Sequence, residues 1–115
     1  MPRATTTSDV FNAIAEPRRR DIIGFLSRDI SGGYPVGTLV EALRLPQPTV
    51  SKHLAVLRTV GLVSVRKLGQ QRVYRLNPGG IKTVHDWTRT FERYWEDQLL
   101  RIKQRAEAKS QTRDR

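Results

Sequence analysis

The sequence predicts a mainly α-helical domain carrying one small β-hairpin, and three observations predict it. Apolar residues recur at helical spacing in five segments separated by Pro, Gly or short polar stretches. One short region, Val63 to Leu76, instead alternates apolar and polar residues on either side of a turn containing Gly69. The length of 115 residues fits one domain, because two would each approach the size at which a core becomes marginal.

Residues 1–7 are polar and are expected to form a flexible tail. Ser8 is the expected cap of a first helix with Val10, Phe11 and Ile14 on one side. Glu16 must leave helical geometry because Pro17 follows it, and Pro17 suits the first position of a second helix. Ile22, Ile23, Phe25 and Leu26 give that helix a buried stripe, and Ser31, Gly32 and Gly33 stop it. Tyr34 to Val36 read as a brief extended piece, and Thr38 to Leu43 as a third short helix with Leu39, Val40 and Leu43 apolar.

The most informative stretch is QPTVSKHLAVLRTVGLV, Gln47 to Val63. Val50, Leu54 and Leu57 share one side of a fourth helix that ends at Gly61. Its far side presents Pro48, Thr49, Ser51, Lys52 and Ala55, a short, polar, cationic surface. Two helices joined by a tight turn, the second with small polar residues near its amino end, have the geometry that enters a DNA major groove. His53 falls beside the inner stripe, which favours a partly buried structural or phosphate-contacting role over metal binding.

After this helix, Val63 and Val65 and then Val73, Tyr74 and Leu76 alternate with polar residues around Leu68-Gly69-Gln70-Gln71, predicting a two-stranded hairpin. Lys67 and Arg72 lie near its tip, where they can reach phosphates or a neighbouring minor groove. Asn77 and Pro78 open the last element. From Ile81 the residues Val84, Trp87, Phe91, Trp95, Leu99 and Ile102 follow at intervals of three or four, predicting one amphipathic helix. Such a helix, roughly 25 residues and about 40 Å long, outruns a core whose radius of gyration is about 13 Å. The rest of its stripe needs a partner, and Trp87, Phe91, Tyr94 and Trp95, four of the chain's eight aromatic residues, suit a subunit interface. Residues 106–115 are expected to be a flexible polar tail, leaving residues 8–105 as the folded domain.

Charge points to the partner. The chain holds 21 Lys and Arg against 11 Asp and Glu, a formal net charge of +10. Between Ala42 and His85, however, Arg44, Lys52, Arg58, Arg66, Lys67, Arg72, Arg75 and Lys82 stand without a single acid. Ordinary surfaces mix signs, so the middle of the chain faces something negative. The run Arg18-Arg19-Arg20 sits at a helix amino terminus, where the macrodipole disfavours cations; Glu16 and Asp21 are the nearest acids, and a phosphate or a partner's acid is the alternative.

Absence of cysteine excludes disulfides, thiolate metal sites and thiol nucleophiles. Ser51 with His53, or His85 with Asp86, cannot form a catalytic set, because near neighbours on a helix point apart and no third group orients them. No phosphate-binding glycine motif is present either. The amino terminus lacks the apolar stretch of a signal peptide and no run approaches a membrane span, so the expectation is a cytoplasmic protein, not an enzyme, without a membrane partner or cofactor.

In order and sequence, AIAEPRRRDIIGFL (Ala13 to Leu26), QPTVSKHLAVLRTVGLV and RKLGQQRVYRL (Arg66 to Leu76) resemble the ArsR-type winged helix-turn-helix repressors of bacteria. The likeness covers roughly Ser8 to Arg105. It implies a homodimer formed by the first and last helices, recognition of double-stranded DNA by the fourth helix, a β-hairpin wing, and a place on the bacterial nucleoid. The expected DNA contacts are Gln47, Pro48, Thr49, Ser51, Lys52, His53 and Arg58 on the helix and Lys67, Gln70 and Arg72 on the wing. The expected dimer seam comprises Val10, Phe11, Ile14, Val84, Trp87, Phe91, Tyr94, Trp95 and Leu99. Relatives often cap the recognition helix with Ser or Thr where Pro46 stands, so its first turn must be secured otherwise. Metal sensors of this type use Cys pairs or His and carboxylate sets. Here Val36 to Arg44 offers only Glu41, and the last helix only His85 with Asp86, Glu92 and Glu96, which disfavours a metal effector. The chain resembles the cysteine-free branch, in which no inducer can be read from motifs. An RNA-binding module and a winged-helix protein-interaction adaptor are the alternative readings.

Overall fold

The first helix, α1 (Thr7–Ile14), is capped by Thr6 rather than by Ser8 in the computed structural model, which describes residues 6–113. The Thr6 hydroxyl accepts from the Asp9 N–H at 3.2 Å, and the Asp9 carboxylate accepts from the Thr6 N–H at 2.8 Å. This reciprocal pair satisfies two otherwise orphaned donors, which Ser8, already inside the helix, cannot do. The expectation of a flexible amino-terminal tail falls, at residues 1–5, outside the described residues.

Pro17 starts α2 (Pro17–Leu26) at its first position, and Glu16 is its extended cap, with the carboxylate accepting from the Arg19 N–H at 3.0 Å. A 3-10 turn (Ser27–Asp29) follows, then β1 (Tyr34–Pro35) and α3 (Val36–Leu43). Arg44 ends α3 in the left-handed region, with φ 55°, and a turn through Leu45 and Pro46 leads into α4 (Gln47–Thr59). α4 closes with Gly61 at φ 82°: the Gly61 N–H donates to the Arg58 carbonyl at 3.1 Å and the Leu62 N–H to the Leu57 carbonyl at 2.9 Å. This is a Schellman closure, and the apolar pair that accompanies such a closure, Leu57 and Leu62, is fully buried.

The wing is β2 (Val63–Leu68) and β3 (Gln71–Leu76), antiparallel, with Val63 opposite Leu76 and Leu68 opposite Gln71. Gly69 alone of the two loop residues has positive φ, at 61°, as a type II′ turn requires. The sheet has three strands rather than the two expected, in the order β1-β3-β2, because the short extended piece pairs Tyr34 with Tyr74 and Pro35 with Val73. Proline is tolerated there because β1 is an edge.

The chain divides into one unit ending at Val84 and a second beginning at His85. The first has one core, in which Ile22, Leu26, Leu39, Val50, Leu54 and Leu57 are at most 1% exposed. Each such side chain contributes about 1.5 to 3 kcal/mol of burial. The stripes expected for α2 and α4 therefore face inward. α5 (Pro78–Thr88) starts where Asn77 anchors it: the Asn77 amide donates to the Gly61 carbonyl at 2.9 Å and its oxygen accepts from the Gly79 N–H at 3.2 Å.

In the second unit, the rod expected to be continuous is interrupted. A 3-10 turn (Arg89–Phe91) separates α5 from α6 (Glu92–Arg113). The Thr88 hydroxyl donates to the His85 carbonyl at 3.0 Å and the Thr90 hydroxyl to the Trp87 carbonyl at 2.8 Å. These three-residue back-bonds accompany the local tightening. Of residues 106–115, expected to form a flexible polar tail, residues 106–113 are helical and residues 114–115 lie outside the described residues. No helix among the described residues is long and apolar enough to cross a membrane.

Candidate nucleic-acid interface

The expected contact residues other than His53 are placed by simple local causes. Because Val50, Leu54 and Leu57 are drawn into the core, α4 turns Gln47, Pro48, Ser51, Lys52 and Arg58 to solvent; Thr49 is half-buried. The two-residue turn at Gly69 holds Lys67, Gln70 and Arg72 exposed at the end of the wing.

The fold then brings α4 and the wing together. Gln47 and Ser51 from α4 and Gln70 and Arg72 from the wing line a single open concavity of about 660 Å³, floored on one side by the start of α3. Among the described residues, none of these four side chains has an intramolecular hydrogen-bond or ion-pair partner, so their donors and acceptors are available to a ligand. Pro46 caps α4 without a side-chain hydrogen bond, which leaves the Gln47 and Thr49 N–H groups open at the same end. A surface of amide, hydroxyl and guanidinium groups around an open groove suits base edges and phosphates.

His53, expected both beside the inner stripe and among the DNA contacts, lies on the partly buried side of α4. Its side chain is 12% exposed and turned toward α2, with Nε2 3.9 Å from Glu16 Oε2. It lies between α4 and the start of α2. Its Nδ1 is buried without a partner, as is Arg19 Nε. Partial burial would raise the Glu16 carboxyl, but the Arg19 N–H, the facing His53 and the Arg18 N–H together hold it below its ordinary value.

The arginine run resolves in the same corner. Arg20 donates to the carbonyls of Ile14 at 2.8 Å and Ala15 at 3.0 Å, so the anionic end of α1 answers one of its three cations. Glu16 caps the helix that carries all three.

Sequence reasoning weighed Glu41 only as a metal ligand; α3 places it in the concavity that Gln47 and Arg72 also line. Glu41 lies one residue before the acid-free window, and only the α3–α4 turn brings it back to that face. No sequence spacing signals this.

The expected seam residues divide. Val10 is 5% exposed and belongs to the first unit's own core, so it offers little surface to a second chain; Phe11, Ile14 and Val84 are half-buried. In the second unit Trp87, Phe91, Tyr94, Trp95 and Leu99 are 46% to 65% exposed. Trp87 meets Phe91 edge-on at 5.5 Å and Tyr94 meets Trp95 at 5.1 Å.

Known proteins share this fold. The family model described as "Bacterial regulatory protein, arsR family" matches residues 16–65, from the cap of α2 into β2. The HTH-type transcriptional regulator Rv2034 of Mycobacterium tuberculosis is 37% identical over 89 residues, spanning 73% of this chain and 80% of that protein. The chain belongs to the arsR family. Within the arsR family, its α3-turn-α4 is the helix-turn-helix and β2-β3 the wing. It is also similar to the transcriptional repressor SdpR of Bacillus subtilis, 30% identical across 73% of this chain and 90% of that protein. Among solved structures, the homodimeric winged helix-turn-helix DNA-binding domain of Mb0332 from Mycobacterium bovis matches at a TM-score of 0.60 and 25% identity, covering 74% of this chain and 78% of that one.

Proposed function

We propose that this arsR-family chain is a homodimeric, sequence-specific DNA-binding repressor of transcription acting on an inverted-repeat operator. The observation that carries the reading is the shared concavity of Gln47, Ser51, Gln70 and Arg72 within an acid-free, eight-cation stretch of the sequence. Lysine and arginine neutralise phosphates and supply affinity for any duplex, while the small polar groups at the start of α4 read base edges. Gln47 is suited to adenine through its amide, and Thr49 and Ser51 contact either base type.

The exposed aromatic face of residues 87–99 supports self-association, as does the homodimeric assembly of the Mycobacterium bovis relative. Two-fold symmetry then sets half-sites about 34 to 36 Å apart, one helical turn. Occlusion of RNA polymerase from the promoter gives repression, and a chromosomal target places the protein in the cytoplasm at the nucleoid. The reading assigns no catalysis, cofactor, membrane contact or metal effector to the chain, and names no small-molecule effector.

The test is selection of bound duplexes from genomic fragments, followed by titration of the selected site against salt and against structured RNA. Log affinity falling steeply and linearly with log salt, with duplex DNA preferred over RNA, supports the reading. A flat salt dependence, or preference for RNA, refutes it.

A further inference from the structure

Glu41 is the one acid and Arg72 the one cation among the described side chains lining the concavity between α3, α4 and the wing. The carboxylate is exposed and has no hydrogen-bond or ion-pair partner among the described residues, so no structural role within the chain accounts for it. A negative charge on a surface that meets phosphates weakens binding to every duplex, and the weakening is relieved only where DNA offers a donor. In the major groove the donors are the exocyclic amino groups, N4 of cytosine and N6 of adenine; guanine and thymine edges present acceptors and, on thymine, a methyl group. An ionised carboxylate accepts and cannot donate, so it discriminates where a glutamine amide would take either kind of edge.

Resting on the DNA-binding reading above, we infer that Glu41 is a specificity-determining residue: it accepts a hydrogen bond from a base amino group in each operator half-site and repels duplexes lacking one there. The residue works with Gln47 and Ser51 in one groove, and its effect is to widen the gap between specific and nonspecific binding. Neither the charge window nor the recognition helix contains it.

The experiment compares wild type, Glu41→Gln and Glu41→Ala at one salt concentration. The probes are the selected operator, single-base-pair variants of it and a random duplex. Both variants should bind the random duplex several-fold more tightly, and both should lose about tenfold of preference at one base-pair position per half-site. Equal strengthening on operator and random duplex would reduce Glu41 to background charge and overturn the inference, as would no change on either. Lys52→Ala separates this from failure of the underlying reading. If wild type binds and Lys52→Ala weakens all duplexes, while Glu41→Gln leaves the preference intact, only the Glu41 inference falls. If wild type shows no salt-dependent duplex binding, both fall.

Discussion

The Glu16 carboxylate lies 3.9 Å from the His53 imidazole, setting the cap of α2 against the middle of α4. Glu16 also accepts from the Arg19 N–H, so one side chain both caps α2 and faces the helix that carries Gln47 and Ser51. The carboxyl sits below its ordinary value of 4.5: burial raises it, and the Arg19 N–H, His53 and the Arg18 N–H more than reverse that. A carboxyl whose folded pKa is depressed adds stability at pH above the unfolded value, and that stability is lost as pH falls through the folded one. Urea unfolding of wild type and Glu16→Gln should therefore differ at pH 7, and the gap should close as the pH drops below 4.5. A gap that stays constant with pH would remove the charged cap from this account. In His53→Gln, the Glu16 carboxyl should titrate closer to its ordinary value, read from its carboxyl carbon shift by NMR.

Backbone approach sets a second expectation. Gly33 has φ 74°, and a Cβ there would strike the Tyr74 carbonyl of β3. Gly80 is helical, but its Cβ would strike the Gly61 carbonyl where α4 closes. Gly24, on the exposed side of α2, has nothing within 4 Å. Gly33→Ala and Gly80→Ala should each destabilise by about 2 kcal/mol or more. Gly24→Ala should stabilise by about 0.5 to 1 kcal/mol. Denaturant midpoints check all three, and equal effects would mean that the close approaches are not limiting.

What could be read from the sequence had short-range causes. Pro17 dictates the break at Glu16; Val50, Leu54 and Leu57 dictate the inward side of α4; Gly69 dictates the hairpin turn. Features set by competition or by long-range packing could not be read. Thr6 and Ser8 both suit a helix cap, and the partner Asp9, three residues after Thr6, decides between them. The apolar interval pattern runs unbroken through residues 88–91, where the backbone tightens into a 3-10 turn accompanied by two threonine back-bonds. Pairing of Tyr34 with Tyr74 spans 40 residues, and the return of Glu41 to the α4 face depends on the turn at Arg44. On α4, the outward side of Gln47, Ser51 and Lys52 and the partly buried place of His53 were legible, whereas the approach of Glu16 to His53 required knowing that the start of α2 packs behind it.

Within the DNA-binding reading, cations and amides divide the work. Lys52 and Arg72 are exposed and suited to phosphates, and Gln47 stands at the uncapped start of α4. Lys52→Ala and Arg72→Ala should weaken binding to every duplex about equally and reduce the salt slope by about one each. Gln47→Ala should relax preference at one position per half-site at a loss of about 1 to 3 kcal/mol, with the salt slope unchanged. Affinities across a panel of single-base-pair variants at several salt concentrations separate the two patterns. Identical behaviour of the three variants would refute the division.

Self-association gives the sharpest contrast between fold and assembly. Trp95 is 58% and Phe91 46% exposed in the single chain, and a glutamate at either position meets solvent there without displacing a core side chain. Folding should therefore survive Trp95→Glu and Phe91→Glu, with helicity by circular dichroism close to wild type. In a dimer the same carboxylate would be desolvated against an aromatic face, and truncating or charging such an anchor weakens an interface by about 2 kcal/mol or more. Sedimentation equilibrium should show wild type as a dimer and both variants shifted to monomer. Operator binding should lose its two-site character, because two recognition helices held one helical turn apart become independent. A wild type that sediments as a folded monomer, or variants that remain dimeric, would move the seam away from this aromatic face.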